Sequence, residues 1–346
     1  MLAIAKALYH HSTIISLDEP TASLTLKETE ALFEVVKKLK KNGVTILYVS
    51  HRLEEIFQIC DRATIMRDGE YIQTLNVKET TREELIHAMV GRSVSAVASR
   101  LKPSPKTDEV VLKVENLTDG HHFRDVNFEL HKGEILGIGG LTDCGMHELG
   151  KALFGNVKPL YGEVKLGNGK KITSEKQAIK NKIGYVSKNR DQEALILSAS
   201  IMENTVLPSL SMIAKGGVIT KGAEKKFTDK QVKDMSIKCR EIGQNVGDLS
   251  GGNKQKVVFG KWLGNESEIY ILDCPTRGID IGVKAFMYQL MYRLKKEGKS
   301  ILMISEELPE LIGMSDRILI MKDGQIQDSF TRSEELNESV LIKKMV

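Results

Sequence analysis

Aromatic residues are scarce in this sequence: they fill 5% of 346 positions, with a single tryptophan. A core of such composition has to come from Ile, Leu, Val, Met and Ala. Cysteine is scarce too. Cys60, Cys144, Cys239 and Cys274 form no CxxC pair and no Cys/His cluster of zinc spacing, which excludes a disulfide or zinc framework. No apolar run reaches the roughly 18 residues of a membrane-crossing helix. Neither sign of charge dominates, since 50 Lys and Arg face 46 Asp and Glu. The doublets Lys37-Lys38 and Lys40-Lys41 sit in a helical pattern and read as solvated helix surface rather than a nucleic-acid patch. The start, MLAIAKALYHHSTIISLDEP, has no basic n-region and no good cleavage site. It reads as the interior of a folded domain, not as a signal peptide.

What is present is length and repetition. With 41% hydrophobic and 28% charged residues, the chain is expected to be soluble and to form two domains. STIISLDEPTASL followed by KKLKKNGVTILYVSHRLEEIFQICDRATIMRDGE recurs as SEIYILDCPTRGI followed by YRLKKEGKSILMISEELPELIGMSDRILIMKDGQ. Asp18 aligns with Asp273, His51 with Glu306, Asp61 with Asp316 and Gly69 with Gly324, each pair 255 residues apart and without a gap. Two copies of one unit are therefore expected. The second copy carries about 145 residues, from near Val110, for which the first copy has no counterpart. The first copy is thus expected to be the C-terminal part of a domain over residues 1–92. A Ser/Pro/Lys-rich linker follows over 93–109, then a complete second domain over 110–346.

The patterns predict strands at 13–17, 44–49, 62–67, 70–74, 110–117, 124–130 and 134–138. They predict helices at 26–41, 52–59, 81–91, 145–155, 227–241, 252–263, 281–297 and 306–312, with the end of another at 2–9. Asp68-Gly69 reads as a turn between paired strands. Strands alternating with helices imply a mostly parallel α/β sheet covered on both faces.

The strongest motif is Asp248-Leu249-Ser250-Gly251-Gly252-Asn253-Lys254-Gln255, ahead of an amphipathic helix and of the strand ending in Asp273. Ser250 and the glycines Gly251 and Gly252 can bring a hydroxyl and backbone N–H groups against phosphate at a helix N-terminus. A capped helix after a glycine turn is the plainer alternative, and ILDCPTRGID some eighteen residues later argues against it. In the first copy, Ile14 to Glu19 is a buried strand delivering two carboxylates to its C-terminal edge, where α/β sheets bind ligands. In the second, Gly140-Leu141-Thr142-Asp143-Cys144-Gly145-Met146-His147 lies between a strand and a helix, where a phosphate loop would read GxxxxGK[ST]. Gly140 and Gly145 keep the backbone nest. Met146 stands in place of the lysine and His147 in place of the hydroxyl. Cys274 follows Asp273 where Glu19 follows Asp18, and a thiol is a poor general base.

LSGGNKQ resembles the signature motif of the ATP-binding cassette family, whose cassettes share the P-loop NTPase fold with antiparallel β and helical subdomains. PTRGIDIG, SEELPELIGMSDRILIMKDG and the MVGR ending at Arg92 resemble more narrowly the duplicated cassette subunits of bacterial monosaccharide importers of the ribose, galactose and xylose type. The resemblance spans essentially the whole chain. It implies ATP and Mg²⁺ as ligands, with Asp18 and Asp273 toward the metal, Glu19 polarising the attacking water and His51 contacting the γ-phosphate. It places Thr21 to Leu24 in the D-loop and Leu249 to Asn253 against nucleotide held by the other cassette. It puts a helical subdomain at 187–245 and Lys188 at the coupling position usually held by Gln or Glu. With Met146, His147, Cys274 and Glu306 at its catalytic positions, the second site is expected to be hydrolytically dead or weak. The implied partners are transmembrane permease subunits and, through them, a periplasmic or lipoprotein sugar-binding protein, with no nucleic acid. The implied location is the cytoplasmic face of the membrane. Two other readings stand beside this one: a non-hydrolytic cassette fragment, and a soluble duplicated cassette acting on ribosomes or DNA. The short linker without heptads disfavours the latter.

Overall fold

A computed structural model describes residues 12–21, 24, 26–50, 52–67, 70–82, 84, 85, 88, 107–333 and 335–345. The helix end expected at 2–9, the turn at Asp68-Gly69, His51, Arg92 and the linker through residue 106 lie outside the described residues. The chain divides into two compact units, one of residues 1–95 with 280–282 and one of residues 96–279 with 283–346.

In the first unit the order is β1 (Ile14–Asp18), α1 (Leu26–Lys41), β2 (Thr45–Val49), α2 (Leu53–Ile59), β3 (Arg62–Arg67) and β4 (Glu70–Asn76). β1 and β2 pair in parallel, with Asp18 opposite Val49. β3 and β4 form a separate antiparallel pair. The α1 boundaries match the sequence expectation. Leu32, Phe33, Val36 and Leu39 recur at helical spacing and bury against Ile15 and Ile59. Lys38, Lys40 and Lys41 occupy the last turn, where cations suit the helix dipole.

The second unit opens with β5 (Val110–Thr118), β6 (Val126–His131), β7 (Ile135–Gly140), α3 (Met146–Leu153), β8 (Tyr161–Leu166), α4 (Glu175–Lys180) and β9 (Ile183–Val186). Then come α5 (Ile201–Val206), α6 (Leu210–Ile213), α7 (Lys221–Asp234), α8 (Gly251–Gly264), β10 (Ile269–Asp273), α9 (Ile281–Lys296), β11 (Ser300–Ile304), α10 (Leu308–Met314), β12 (Arg317–Lys322), β13 (Gln325–Thr331) and α11 (Glu338–Met345). One six-stranded sheet runs β13-β12-β7-β11-β10-β9, parallel except for its edge strand β13. A three-stranded antiparallel sheet runs β6-β5-β8.

The repeated strands meet different surroundings. β10 and β11 lie inside the six-stranded sheet, and all ten of their residues are buried. Their counterparts β1 and β2 pair only with each other among the described residues, and Ile14, Leu47 and Val49 are exposed. A continuous apolar run suits a strand covered on both faces. That cover is present in the second unit.

Two expectations need correction. The helix expected at 227–241 runs from Lys221 to Asp234, because the Thr220 side chain caps it by accepting the Ala223 N–H. The chain then turns at Ser236, which has φ 49°. β8, α4 and β9 were not anticipated, and α5 and α6 only as unbounded parts of the helical subdomain expected over 187–245. α5 had a readable signal: Ser200 and Glu203 form a reciprocal capping box.

Candidate functional site

The loop after β7 keeps the shape of a phosphate cradle. Gly145 has φ 91°, and a Cβ there would lie 2.1 Å from the His122 carbonyl oxygen, so only glycine fits. A Cβ on Gly140 would meet Cys144 Sγ and the Met321 carbonyl, both at 2.4 Å. Gly145 then caps α3, whose first N–H groups have no helical partner. At the two following positions the chemistry departs from a phosphate loop. The Met146 side chain is buried in the core, 1% exposed, and reaches no ligand position.

His147 turns the other way, into a chain of polar contacts. Its Nδ1 lies 2.7 Å from Asp273 Oδ1, and its Nε2 lies 3.0 Å from Lys188 Nζ and 3.4 Å from Glu306 Oε1. Lys188 Nζ donates to Glu306 Oε1 at 2.7 Å. Tyr185 donates its hydroxyl to Asp273 Oδ2 at 3.4 Å. Burial, with the charges of Asp273 and Glu193, holds the Tyr185 phenol protonated and so a donor. The neutral imidazole thus donates Nδ1–H to Asp273 and accepts from Lys188 at Nε2; once protonated, it turns Nε2–H toward Glu306. Burial is the largest single influence and opposes the imidazolium, but the hydrogen bond and charge of Asp273, with the charge of Glu306, together raise the His147 pKa. Burial likewise opposes ionised Glu306, and Lys188 and His147 together overcome it, lowering that pKa.

Cys274 is buried and held at φ 46°. Burial first, then the charges of Asp273 and Glu306, push its thiol far above the ordinary range. It cannot take a proton from water as a carboxylate would. In the first unit Glu19 has the same backbone geometry: φ 41°, with its N–H donating to Val49 at 2.9 Å, as Cys274 donates to Ile304 at 2.9 Å. The turn is repeated and the side chain changed. Asp18 and Glu19 are both exposed, whereas Asp273 is 1% exposed.

The signature turn is a separate hydrogen-bonded group. Leu249 is buried and anchors it, while Ser250 is exposed and caps α8. Asn253 donates Nδ2–H to Ser250 Oγ at 3.0 Å and accepts the Lys238 N–H at 2.9 Å. Gly251 admits Arg190, whose guanidinium donates to the Arg277 and Gly278 carbonyls. Gln255 donates to the Pro275 carbonyl at 2.7 Å, joining the start of α8 to the turn after β10.

A family described as ABC transporter matches residues 123–277. The ribose import ATP-binding protein RbsA of Bacillus subtilis (strain 168) is 43% identical over 343 residues, covering 99% of this chain and 69% of that protein. The ribose import ATP-binding protein of Clostridium tetani (strain Massachusetts / E88) is 42% identical over 343 residues, covering 99% of this chain and 68% of that protein. The chain belongs to the ATP-binding cassette family of ABC transporters. The cassette fold has solved counterparts. A dimeric post-hydrolysis cassette bound to ADP and Pi covers 64% of this chain with a TM-score of 0.56 at 23% identity. A nucleotide-free cassette from an ABC transporter covers 68% with a TM-score of 0.57 at 19% identity.

Around Asp273, in the second unit, the residues do not fit Mg²⁺. A magnesium ion held through Asp273 wants open carboxylate oxygens and a small oxygen ligand at position 147. Here Oδ1 takes the imidazole and Oδ2 the tyrosine hydroxyl. Sequence reasoning flagged Met146, His147, Cys274 and Glu306 one by one, and placed Lys188 at the coupling position without its partners. It missed Tyr185 and Arg190. It also missed two buried carboxylates, Glu55 and Glu310, which the 255-residue offset aligns.

Proposed function

We propose that this chain belongs to the ATP-hydrolysing subunit of an importer for a monosaccharide, ribose first among the candidates, and that only the first cassette hydrolyses. The reading assigns Glu19 and His51 to hydrolysis, Asp18 to Mg²⁺, and Ser250 to Asn253 to nucleotide contact. The bound Mg²⁺ would neutralise phosphate charge; Glu19 would orient and deprotonate water, a contribution of ~10²- to 10⁴-fold. The second cassette would hold nucleotide weakly through the Gly140–Gly145 loop, if at all. One observation carries this asymmetry: Asp273, His147, Lys188 and Glu306 satisfy one another, where a hydrolytic site keeps such groups open for metal and phosphate.

Partners follow from the same reading: transmembrane permease subunits, a sugar-binding protein beyond them, and a peripheral position on the cytoplasmic face of the membrane. No helix among the described residues is long and apolar enough to cross a membrane. The segment between α4 and α7 exposes Ile196, Leu207, Leu210, Met212 and Val218, an apolar surface suited to a protein partner. The ribose assignment rests on the names of the similar proteins. The test is nucleotide trapping during turnover in the full-length protein assembled with its permease subunits. About one trapped nucleotide per protein is expected, and Glu19→Gln should abolish turnover. Two trapped nucleotides, or turnover that survives Glu19→Gln, would refute the asymmetry.

A further inference from the structure

Each cassette contains a buried carboxylate that the functional reading leaves without a task. Glu55, on α2, is 4% exposed. The Thr21 hydroxyl donates to its Oε1 at 2.6 Å, and the hydroxyls of Tyr48 and Ser50 donate to its Oε2 at 2.8 Å each. At the aligned place in the second cassette, Thr276 donates to Glu310 Oε1 at 2.6 Å and Ser305 to Oε2 at 2.5 Å. Met303 stands where Tyr48 would align, so the second copy lacks that phenol on its strand. The threonine and serine donors are kept at aligned positions on the same two segments, so the pair of hydroxyls bridged by one carboxylate is the feature both copies share.

The threonine and serine mark the place of this brace. Thr21 lies two residues past Glu19, on the turn leaving β1, and Ser50 directly follows β2. The backbone already ties the two segments once, through the Glu19 N–H and the Val49 carbonyl. The Glu55 carboxylate ties them again through side chains, and Ser50 Oγ also accepts the Arg52 N–H at 3.0 Å. We propose that Glu55 is a positioning residue for ATP hydrolysis, clamping the turn that follows Glu19 to Tyr48 and Ser50 and so fixing where the Glu19 turn stands. This rests on the reading that assigns hydrolysis to Glu19 and His51. The brace is shared by both cassettes, but only one has chemistry to position, and Glu310 in the silent cassette serves as an internal control.

The test compares matched substitutions in the full-length protein assembled with its permease subunits. Glu55→Gln keeps the volume but turns one acceptor into a donor facing hydroxyl donors. Thr21→Val removes the tie to the turn without changing shape. Both are expected to lower kcat by about 10- to 100-fold, the scale of a misplacement near 1 Å. The KM for ATP should stay within about threefold, since ground-state binding is not the target. Glu310→Gln and Thr276→Val should leave kcat within about threefold while lowering thermal stability as much as their counterparts do. Equal kcat losses in both cassettes would reduce the brace to a structural element and overturn the proposal. So would unchanged kcat in Glu55→Gln and Thr21→Val. Should Glu55→Gln fail to fold, Thr21→Val decides alone. Glu19→Gln separates the two layers of argument: if it hydrolyses at full rate, the assignment of Glu19 fails. If it is inactive while the Glu55 and Thr21 variants run at full rate, only the clamp fails.

Discussion

Replacing His147 with serine tests the closed network of the second cassette most directly. Asp273 is 1% exposed, and the substitution leaves it with Tyr185 at 3.4 Å as its remaining side-chain donor. Removing one partner of a buried charged pair costs about 3–5 kcal/mol. The His147 side chain is 16% exposed, so some water reaches the gap, and the lower end, about 3 kcal/mol, is expected. For a unit of this size each kcal/mol shifts Tm by ~2–4 °C, which gives a drop of about 6–12 °C. The assay is urea denaturation followed by tryptophan fluorescence. Trp262 is the only tryptophan, lies on α8 in the second unit and is buried, so its signal reports that unit alone. Asp273→Asn completes a double-mutant cycle. With the charge gone, loss of the imidazole matters less, and the double variant should recover about 1–3 kcal/mol relative to the sum of the singles. If His147→Ser costs less than about 1 kcal/mol, or if the two changes add within about 0.5 kcal/mol, the groups are not coupled and the reasoning fails.

The pKa of His147 is raised above 6.5 in the folded protein. Its contribution is therefore fully present below pH 6.5 and lost as pH rises through the folded value, a slope that His147→Gln should remove from a pH series of denaturation midpoints. Lys261 behaves oppositely. Burial lowers its pKa from 10.5 to about 8, so the unfolded chain binds the extra proton, and stability from this group rises between pH 8 and 10.5. Lys261→Met should abolish that rise, and an unchanged slope would refute it. Gly145→Ala should cost at least about 1–3 kcal/mol from its left-handed backbone, with the contact to the His122 carbonyl adding to it. A variant as stable as the parent in the same denaturation assay would show that the loop relaxes freely.

Repetition made much of this molecule legible. The offset of 255 residues put β1 on β10, β2 on β11 and Glu19 on Cys274, and the backbone agrees down to the positive φ shared by Glu19 and Cys274. Helical spacing fixed α1 because its apolar positions all face one core. From about residue 156 to 226 individual elements were not legible, although the resemblance implied a helical subdomain over 187–245 and helices stand there. β9 has only four residues and α6 four, too short for periodicity to show. At the site, the sequence identified each altered position but not its geometry. Met146 was expected near phosphate, yet a methionine beside a packed sheet gains more from burial, and it joins the core. The partners of Lys188 were not legible because they lie 41 and 118 residues away.

That long-range pairing changes what the altered positions mean. Taken singly, a histidine in place of a hydroxyl, a lysine at the coupling position, and a glutamate in place of a switch histidine are three defects. Placed together, Asp273 and Glu306 supply two negative charges, Lys188 one positive charge, and His147 a second when protonated. Each change compensates another: Glu306 alone would leave a carboxylate beside Asp273, and Lys188 alone would set an ammonium against a protonated His147 without relief. A site that had merely decayed would be expected to leave buried polar atoms unsatisfied, at about 1–3 kcal/mol each. None of these four side chains is among the unpartnered buried groups of the described residues. The cluster around Asp273 is closed within the chain. On the proposed reading, what the second unit would add to hydrolysis is the turn from Ser250 to Asn253, which Gln255 ties to the turn after β10 through the Pro275 carbonyl.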